Sequence, residues 1–440
     1  MSRSRIEAAP IEEGVVAALN HDGEGVVRGT KTVFVPGVLP GETIRFQRQR
    51  RHRQHDEAVL VEVVTPSADR VEPKCAHFGV CGGCSLQHYA PAAQLAAKQQ
   101  ELADNLQRIA KVTPQSWLSP IEGPVWRYRR RARLGAKFVI KRGRVLVGFR
   151  ERAKPYIAAL ERCEILAAPL DGLITPLSDL LTGMAAKDSI PQIEAAVTPE
   201  VTLLVFRHLA ALSESDLAAL REFEIAQRVR IYLQSGGVES IVPLVGDATP
   251  LRYSLANEGL TFEFEPTDFV QINAAVNETL VSRAVELLQV GPQDRVLDLF
   301  CGLGNFTLAL ARRAASVVGV EGDAGLVARA RRNAELNGLA NASFQVANLF
   351  DAEAGQGAFQ GGYTRVLLDP PRAGALEVLP RVAATGAPRI VYVSCHPGTL
   401  ARDVGVLCHD LGYRLQFAGV IDMFPHTNHV ESMAVLERAR

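Results

Sequence analysis

The sequence predicts a multidomain protein with three parts: a small N-terminal β-barrel, an α+β central region and a C-terminal doubly wound α/β domain of Rossmann-like type. Three observations lead there. Residues from about Gly14 to Val64 break into short β-prone runs separated by turn residues. From Asn273 onward, apolar runs of strand length alternate with helical ones. Between these lies a cysteine cluster, Cys75-x5-Cys81-x2-Cys84. A chain of 440 residues that is 47% hydrophobic can bury more than one core. We place the boundaries at 5–66, 67–270 and 271–440.

In the first part the runs GVVAAL, GVVRG, KTVFVPG, ETIRFQR and AVLVEVV are punctuated by His21-Asp22-Gly23 and Pro36-Gly37, which suits an OB-like or related barrel. Lys plus Arg and Asp plus Glu stand at 48 each, so a polyanionic partner must be met by local patches rather than a global field. Two basic runs exist, Arg45 to Arg53 and Arg127 to Arg133. Each reads equally as a solvated face; interleaved Phe46, Trp126 and Tyr128 favour single-stranded RNA, whose bases stack on rings while arginine holds phosphate. Met1–Gly14 carries no apolar stretch of signal-peptide length, and no apolar run reaches the roughly 20 residues that span a bilayer. A cytoplasmic location, no membrane partner and a monomer are the expectations.

After Pro66-Ser67-Ala68 the pattern changes, and a helix is predicted from about Ala92 to Ala110, followed by mixed strand-like and helical runs between Tyr128 and Leu260. The cysteine spacing in a cytosolic chain argues for metal rather than disulfide. Three close thiols plus Cys163 suit a [4Fe–4S] cluster, with glycines easing the chain around it. Zinc on the same thiols, or with His77 or His88 replacing one, is the alternative. Cys301 and Cys408 are read as structural thiols.

In the C-terminal part a helix (AAVNETLVSRAVELL) leads into strands RVLDLF, SVVGVEG, SFQVANL, RVLLDPP and RIVYVSC, and RLQFAGVIDMFP and HVESMAVLE are expected as an antiparallel pair at an edge. Ligands of such a sheet bind at the carboxyl ends of its strands. Asp298-Leu-Phe300-Cys-Gly302-Leu-Gly304-Asn305 follows a buried strand, and Glu321, roughly 20 residues on, is placed to hold ribose hydroxyls. The third glycine of the dinucleotide fingerprint and a phosphate-binding lysine are missing, while an acidic residue precedes the glycines. That combination favours S-adenosylmethionine, with its cationic sulfonium and amino groups, over NAD or ATP. Asp369-Pro370-Pro371-Arg372 sets another carboxylate at the same edge.

Val393-Ser394-Cys395-His396-Pro397 ends a strand two beyond the glycine loop, where a thiol is either a small core residue or a nucleophile in the crevice. Methylating carbon-5 of uracil requires a thiolate at carbon-6 and a base for the carbon-5 proton. Glu431 in Asp422-Met-Phe-Pro-His426-Thr-Asn-His429-Val-Glu431 is the candidate base, with His426 or His429 as alternatives.

Taken together, the glycine loop, Asp369-Pro-Pro-Arg, Ser394-Cys395-x-Pro397-x-Thr399-Leu400-Ala401-Arg402-Asp403 and Asp422-Met-Phe-Pro-His-Thr-x-His-x-Glu431 resemble the bacterial RNA uridine-5-methyltransferases. The resemblance implies a class I methyltransferase domain, Cys395 as nucleophile, Glu431 as proton-abstracting base, and cofactor contacts from Gln271, Phe300, Asn305, Glu321, Asn348 and Asp369. It implies a [4Fe–4S] cluster on Cys75, Cys81, Cys84 and Cys163, since ribosomal-RNA members carry one on cysteines so arranged, and an N-terminal TRAM domain that binds RNA. The implied substrate is a loop uridine of 23S rRNA, flipped from its stack. Transfer RNA is the alternative substrate. A non-catalytic RNA-binding assembly factor is the alternative from another class, and a DNA cytosine-5-methyltransferase is more distant because its nucleophile usually follows a proline in an earlier loop. This chain has His396 where the family mostly has Asn, and Gly398 where Ala is common. A charged His396 beside Cys395 is expected to lower its thiol pKa.

Overall fold

Five N-terminal strands pair in a ring. Ile11–Leu19 lies antiparallel to both Gly25–Val27 and Thr43–Arg51, and Gly25–Val27 in turn to Thr32–Val35. Thr32–Val35 runs parallel to His55–Thr65, which returns antiparallel to Thr43–Arg51 and closes the barrel. Closure removes the open edges that would otherwise invite further pairing. Alternation makes the interior: Ile44 and Phe46 are buried while Arg45 between them is exposed, and Val16, Val27, Val33, Val35, Val38 and Ala58 complete the core. The structure, a computed structural model, describes residues 4–5, 9–351 and 355–439.

The first basic run is corrected by this register. Arg45 pairs with Glu13 (3.2 Å) and Glu62 (3.3 Å), Arg48 with Glu12 and Asp56 (both 2.7 Å), and Arg50 with Glu57 (3.4 Å). Acids on adjacent strands take up these charges, and Phe46, at 2% exposure, is a core residue rather than a stacking platform. Arg51 and Arg53 are exposed.

By compactness the chain separates into one unit made of Met1–Glu101, Phe149–Ala158 and Phe424–His429, and a second made of Leu102–Gly148, Ala159–Met423 and Val430–Arg440. The predicted helix is observed as Pro91–Asn105; its last turn, Leu106–Ala110, widens and stops at Lys111, whose φ of 54° is left-handed. Among its described residues the second unit holds two large sheets and a hairpin, Leu251–Leu255 with Leu260–Phe264. One sheet orders Ile241–Pro243, Arg230–Gln234, Thr202–Arg207, Gln192–Val197, Arg131–Val139 and Arg144–Gly148, giving the α+β region expected.

The other sheet orders Ala342–Val346, Ser316–Glu321, Arg295–Leu299, Arg365–Leu368, Arg389–Ser394, Glu431–Arg438, Tyr413–Ile421 and Ser116–Trp117. Its first five strands are parallel. Val296, Leu297 and Leu299, Val366 to Leu368, and Arg389 to Ser394 are buried, as covering on both faces requires. Glu431–Arg438 inserts antiparallel between Arg389–Ser394 and Tyr413–Ile421. The last two strands therefore pair as expected, but Ser116–Trp117, parallel to Tyr413–Ile421, adds one more strand outside them.

Candidate active site

A cavity of about 440 Å³ opens at the carboxyl ends of the parallel strands, within the size range of small-molecule sites. Gln271, Phe300, Gly302, Asn305, Glu321, Asn348, Asp369, Cys395 and Glu431 all line it. Gly304 shapes the turn: Phe300, Gly302 and Gly304 have φ of 64°, 53° and 89°, a left-handed sequence that glycine tolerates and that Phe300 adopts at a cost.

The Glu321 carboxylate is fixed by backbone N–H groups. Its Oε2 accepts the Gly302 N–H (3.1 Å), and its Oε1 accepts the N–H groups of Gly322 (2.7 Å) and Asp323 (3.1 Å). Asn305 exchanges amide hydrogen bonds with Asn277 (3.0 and 3.2 Å), and its Oδ1 also accepts the Tyr253 hydroxyl (3.1 Å). Asp298 sits behind the glycine loop, fully buried, with Oδ2 accepting the Thr307 hydroxyl at 2.5 Å. Burial, together with Asp369 and Glu321 nearby, pushes its carboxyl up to about 7. Burial pushes Asp369, which does line the cavity, to about 7 as well.

The second basic run belongs to this site's scaffold. Arg130 Nε donates to the Gln271 carbonyl (2.8 Å), and Arg131 donates to the carbonyls of Asp268 and Pro266. Arg133 pairs with Glu194 (2.9 Å) and Arg127 with Asp171 (3.1 Å). Tyr128 is buried at 5% exposure, so the expected stacking face is absent at that residue. Sequence reading missed the purpose of these arginines because the carbonyls they hold lie more than 130 residues away. It also missed Tyr253 and Asn277, which no motif marks.

Sheet register brings Cys395 and Glu431 together. Ser394 pairs with Ser432 across the antiparallel strands, so the next residues outward, Cys395 and Glu431, stand opposite one another at the cavity end. Burial and the negative charges of Glu431 and Asp369 push the Cys395 thiol up to about 11, with Arg372 pulling the other way. His426 is packed in the first unit, its N–H donated to Gln94 Oε1 (2.9 Å) and its carbonyl accepting from Ser85 and Leu86 (both 2.9 Å). His429 lies edge-on to Phe424 at 4.4 Å between ring centres.

The profile of the family described as tRNA (Uracil-5-)-methyltransferase matches residues 90–439. The chain belongs to the tRNA (uracil-5-)-methyltransferase family. It is 48% identical, over 99% of its own length and 99% of the other, to the Stenotrophomonas maltophilia (strain R551-3) protein named 23S rRNA (uracil(1939)-C(5))-methyltransferase RlmD. With the Alkalilimnicola ehrlichii protein of the same name identity is 49%, over 99% of this chain and 98% of that one. Among solved structures, Pyrococcus abyssi tRNA (uracil-54, C5)-methyltransferase in complex with S-adenosyl-L-homocysteine superposes with a TM-score of 0.74 at 27% identity, covering 97% of this chain and 100% of that one.

Both departures from the usual uracil-5-methyltransferase pattern acquire a structural reason. His396 Nδ1 accepts the Thr399 N–H (3.2 Å), capping the helix Pro397–His409. Asn is a preferred cap, so His396 does the same work with a larger ring. A Cβ at position 398 would lie 3.1 Å from His396 Cε1 and 3.4 Å from Nδ1, so Gly398 makes room for that ring. The expected electrostatic lowering of the thiol is overturned: Cys395 is raised, and the imidazole is spent on the cap.

The cysteine loop lies in the first unit and Cys163 in the second. Within the loop, Gly83 N–H donates to Cys81 Sγ (3.4 Å), the Cys75 N–H donates to the buried Gln87 side chain (3.1 Å), and Gly82 N–H to the Arg150 carbonyl (2.8 Å). A Cβ at Gly83 would press on Cys81 Sγ and Phe149, each at 3.4 Å. His88, 2% exposed and tilted against Phe78, is held down to about 4 by burial and is therefore neutral.

Proposed function

We propose that this chain methylates carbon-5 of a uridine in 23S rRNA, the position being the uracil 1939 of its relatives' name, with S-adenosylmethionine as methyl donor. The observation that carries the chemistry is Cys395 opposite Glu431 in a cavity whose other end holds Glu321 between three N–H groups. In this reading Cys395 Sγ adds to carbon-6 of the flipped base, and the electron pair of the 5,6 double bond makes carbon-5 nucleophilic. Gln271, Phe300, Gly302, Asn305, Glu321, Asn348 and Asp369, over the turn made by Gly304, would hold the donor, whose sulfonium would supply the methyl group to carbon-5 and leave as the neutral thioether of S-adenosylhomocysteine. Glu431 then removes the carbon-5 proton, the 5,6 double bond re-forms, and Cys395 leaves.

The same reading assigns Cys75, Cys81, Cys84 and Cys163 to a [4Fe–4S] cluster, supported by the N–H to sulfur bond at Cys81 and the glycine that its sulfur crowds. The cluster would serve to shape an RNA-contacting surface. The barrel is read as a TRAM domain for single-stranded or loop RNA, within a partition at 5–66, 67–270 and 271–440. The working form is a cytoplasmic monomer; among the described residues no helix is long and apolar enough to cross a membrane.

Incubation with 23S rRNA fragments carrying 5-fluorouridine tests the reading. A denaturation-resistant protein–RNA adduct is expected, abolished by Cys395→Ala and retained by Glu431→Gln, and labelled methyl is expected in 23S rRNA. Transfer to tRNA alone would overturn the substrate; no adduct with any competent RNA would leave only an RNA-binding factor.

A further inference from the structure

The cavity poses an electrostatic problem. Its lining carries the carboxylates of Glu321, Asp369 and Glu431, and among the described lining residues there is no Lys, Arg or His. S-adenosylmethionine presents a sulfonium and an ammonium to such a surface, but also the α-carboxylate of its amino-acid end. Placed among acids, with no cation in the described lining and Arg372 acting at the Cys395 end, that carboxylate is repelled.

Arg130 lies one residue behind the wall. Its Nε donates to the carbonyl of Gln271 (2.8 Å), and its guanidinium lies over the ring of Tyr253, 4.9 Å from the centroid. Tyr253 in turn donates its hydroxyl to Asn305 Oδ1 (3.1 Å). Gln271, Tyr253 and Asn305 all line the cavity, so one arginine braces one side of it. Its Nη2 is buried without a hydrogen-bond partner, and the charged group acting on it is another cation, Arg131. A partly buried guanidinium whose Nη2 is out of water, with no carboxylate among the groups acting on it, is costly, and desolvation pulls its pKa down from the usual range.

We infer that Arg130 is a positioning residue for the methyl donor, whose partly buried charge balances the donor's α-carboxylate and whose hydrogen bond to Gln271 and stacking on Tyr253, itself bonded to Asn305, set these three residues to receive the amino-acid end. The inference rests on the reading of the cavity as an S-adenosylmethionine site. It explains why an acid-rich cavity accepts a ligand carrying a carboxylate, and why a partly buried arginine is kept without an acid of its own.

Calorimetry with two probes on the full-length holoprotein separates this from a purely structural role. S-adenosylhomocysteine carries the carboxylate; 5′-methylthioadenosine has the same nucleoside and thioether without the amino-acid end. Arg130→Met is expected to weaken S-adenosylhomocysteine by about tenfold or more and to leave 5′-methylthioadenosine within about twofold, while Arg130→Lys, which keeps the charge but not the Nε bond to Gln271 or the planar stack, recovers part of the loss. Equal weakening of both probes, or no change in either, would overturn the inference while leaving the cofactor reading intact. Wild-type protein that bound neither probe would remove the cofactor reading itself. Should Arg130→Met fail to fold, wild-type protein still decides: decarboxylated S-adenosylhomocysteine must bind about tenfold more weakly than the intact ligand, and equal affinity overturns the inference.

Discussion

Cys395 is not a ready-made thiolate. With burial, Glu431 and Asp369 holding it at about 11, about one molecule in ten thousand is ionised at pH 7. Adduct formation with 5-fluorouridine RNA should therefore rise about tenfold per pH unit between roughly pH 6 and 9, because the window lies wholly below the thiol's pKa. Glu431→Gln removes one of the charges that raise the thiol, so its profile should move to lower pH even as turnover is lost; rapid-quench adduct kinetics read both. A flat wild-type profile would mean that the thiol proton passes directly to a base inside the RNA complex. The neighbouring His396 and Gly398 form a coupled pair. Gly398→Ala drives a methyl group into the capping ring and should cost about 0.5–2 kcal/mol, the worth of an N-cap, whereas His396→Asn with Gly398→Ala should recover most of it. Additive losses in a double-mutant cycle of thermal unfolding would refute the coupling.

At the scale of elements, the strand that ends at Cys395 is fixed by the helix that follows it. Asp403, fully buried on Pro397–His409, accepts the Tyr392 hydroxyl (2.6 Å), the Ala375 N–H (2.7 Å) and Arg402 Nε (2.7 Å). One carboxylate thus joins the helix, the strand that leads to Cys395 and the loop after Asp369. Asp403→Ala leaves two buried donors unpaired and should cost about 2–4 kcal/mol, seen as a lowered urea midpoint together with slower adduct formation; loss of neither would show that the network relaxes. The parallel strands were legible in the sequence because burial on both faces writes a continuous apolar run, as in Val366 to Leu368. The insertion of Glu431–Arg438 between strands that precede it in the chain was not, since strand order is a property of pairing. Ser116–Trp117 is too short to carry any periodicity. The arginine runs misled for a related reason: charge is visible along the chain, but the Glu12, Glu13 and Glu62 that neutralise Arg45 and Arg48 lie on other strands.

Over the whole molecule, a linear reading draws boundaries between neighbouring residues, yet the first compact unit collects Phe149–Ala158 and Phe424–His429 from far along the chain. Composition carries no trace of such gathering. Nor does a balance of 48 basic and 48 acidic residues reveal where the charges are buried, and that location governs how stability responds to pH. Asp298 and Asp369 are each pushed to about 7 from 3.8, so between about pH 4 and 7 the folded chain keeps protons that the unfolded chain has released. Stability from these groups falls as pH rises through that window, by about 1.4 kcal/mol per pH unit for each proton retained. Asp56, Asp216 and Asp294, whose carboxyls are held below 3.8, act only beneath it and in the opposite sense. His88, lowered to about 4 from 6.5, also opposes the trend, because the unfolded chain takes up its proton first as pH falls. A difference measurement isolates the aspartate: without added ligand, Asp298→Asn should match wild type below about pH 4, grow progressively more stable relative to it up to about pH 7 and level off above, because unfolded wild type releases from about pH 4 a proton that the folded protein keeps until about pH 7. Scanning fluorimetry of both proteins across that range provides the check. A melting-temperature difference that stays constant from pH 5 to 8 would show that Asp298 is already ionised at the acidic end.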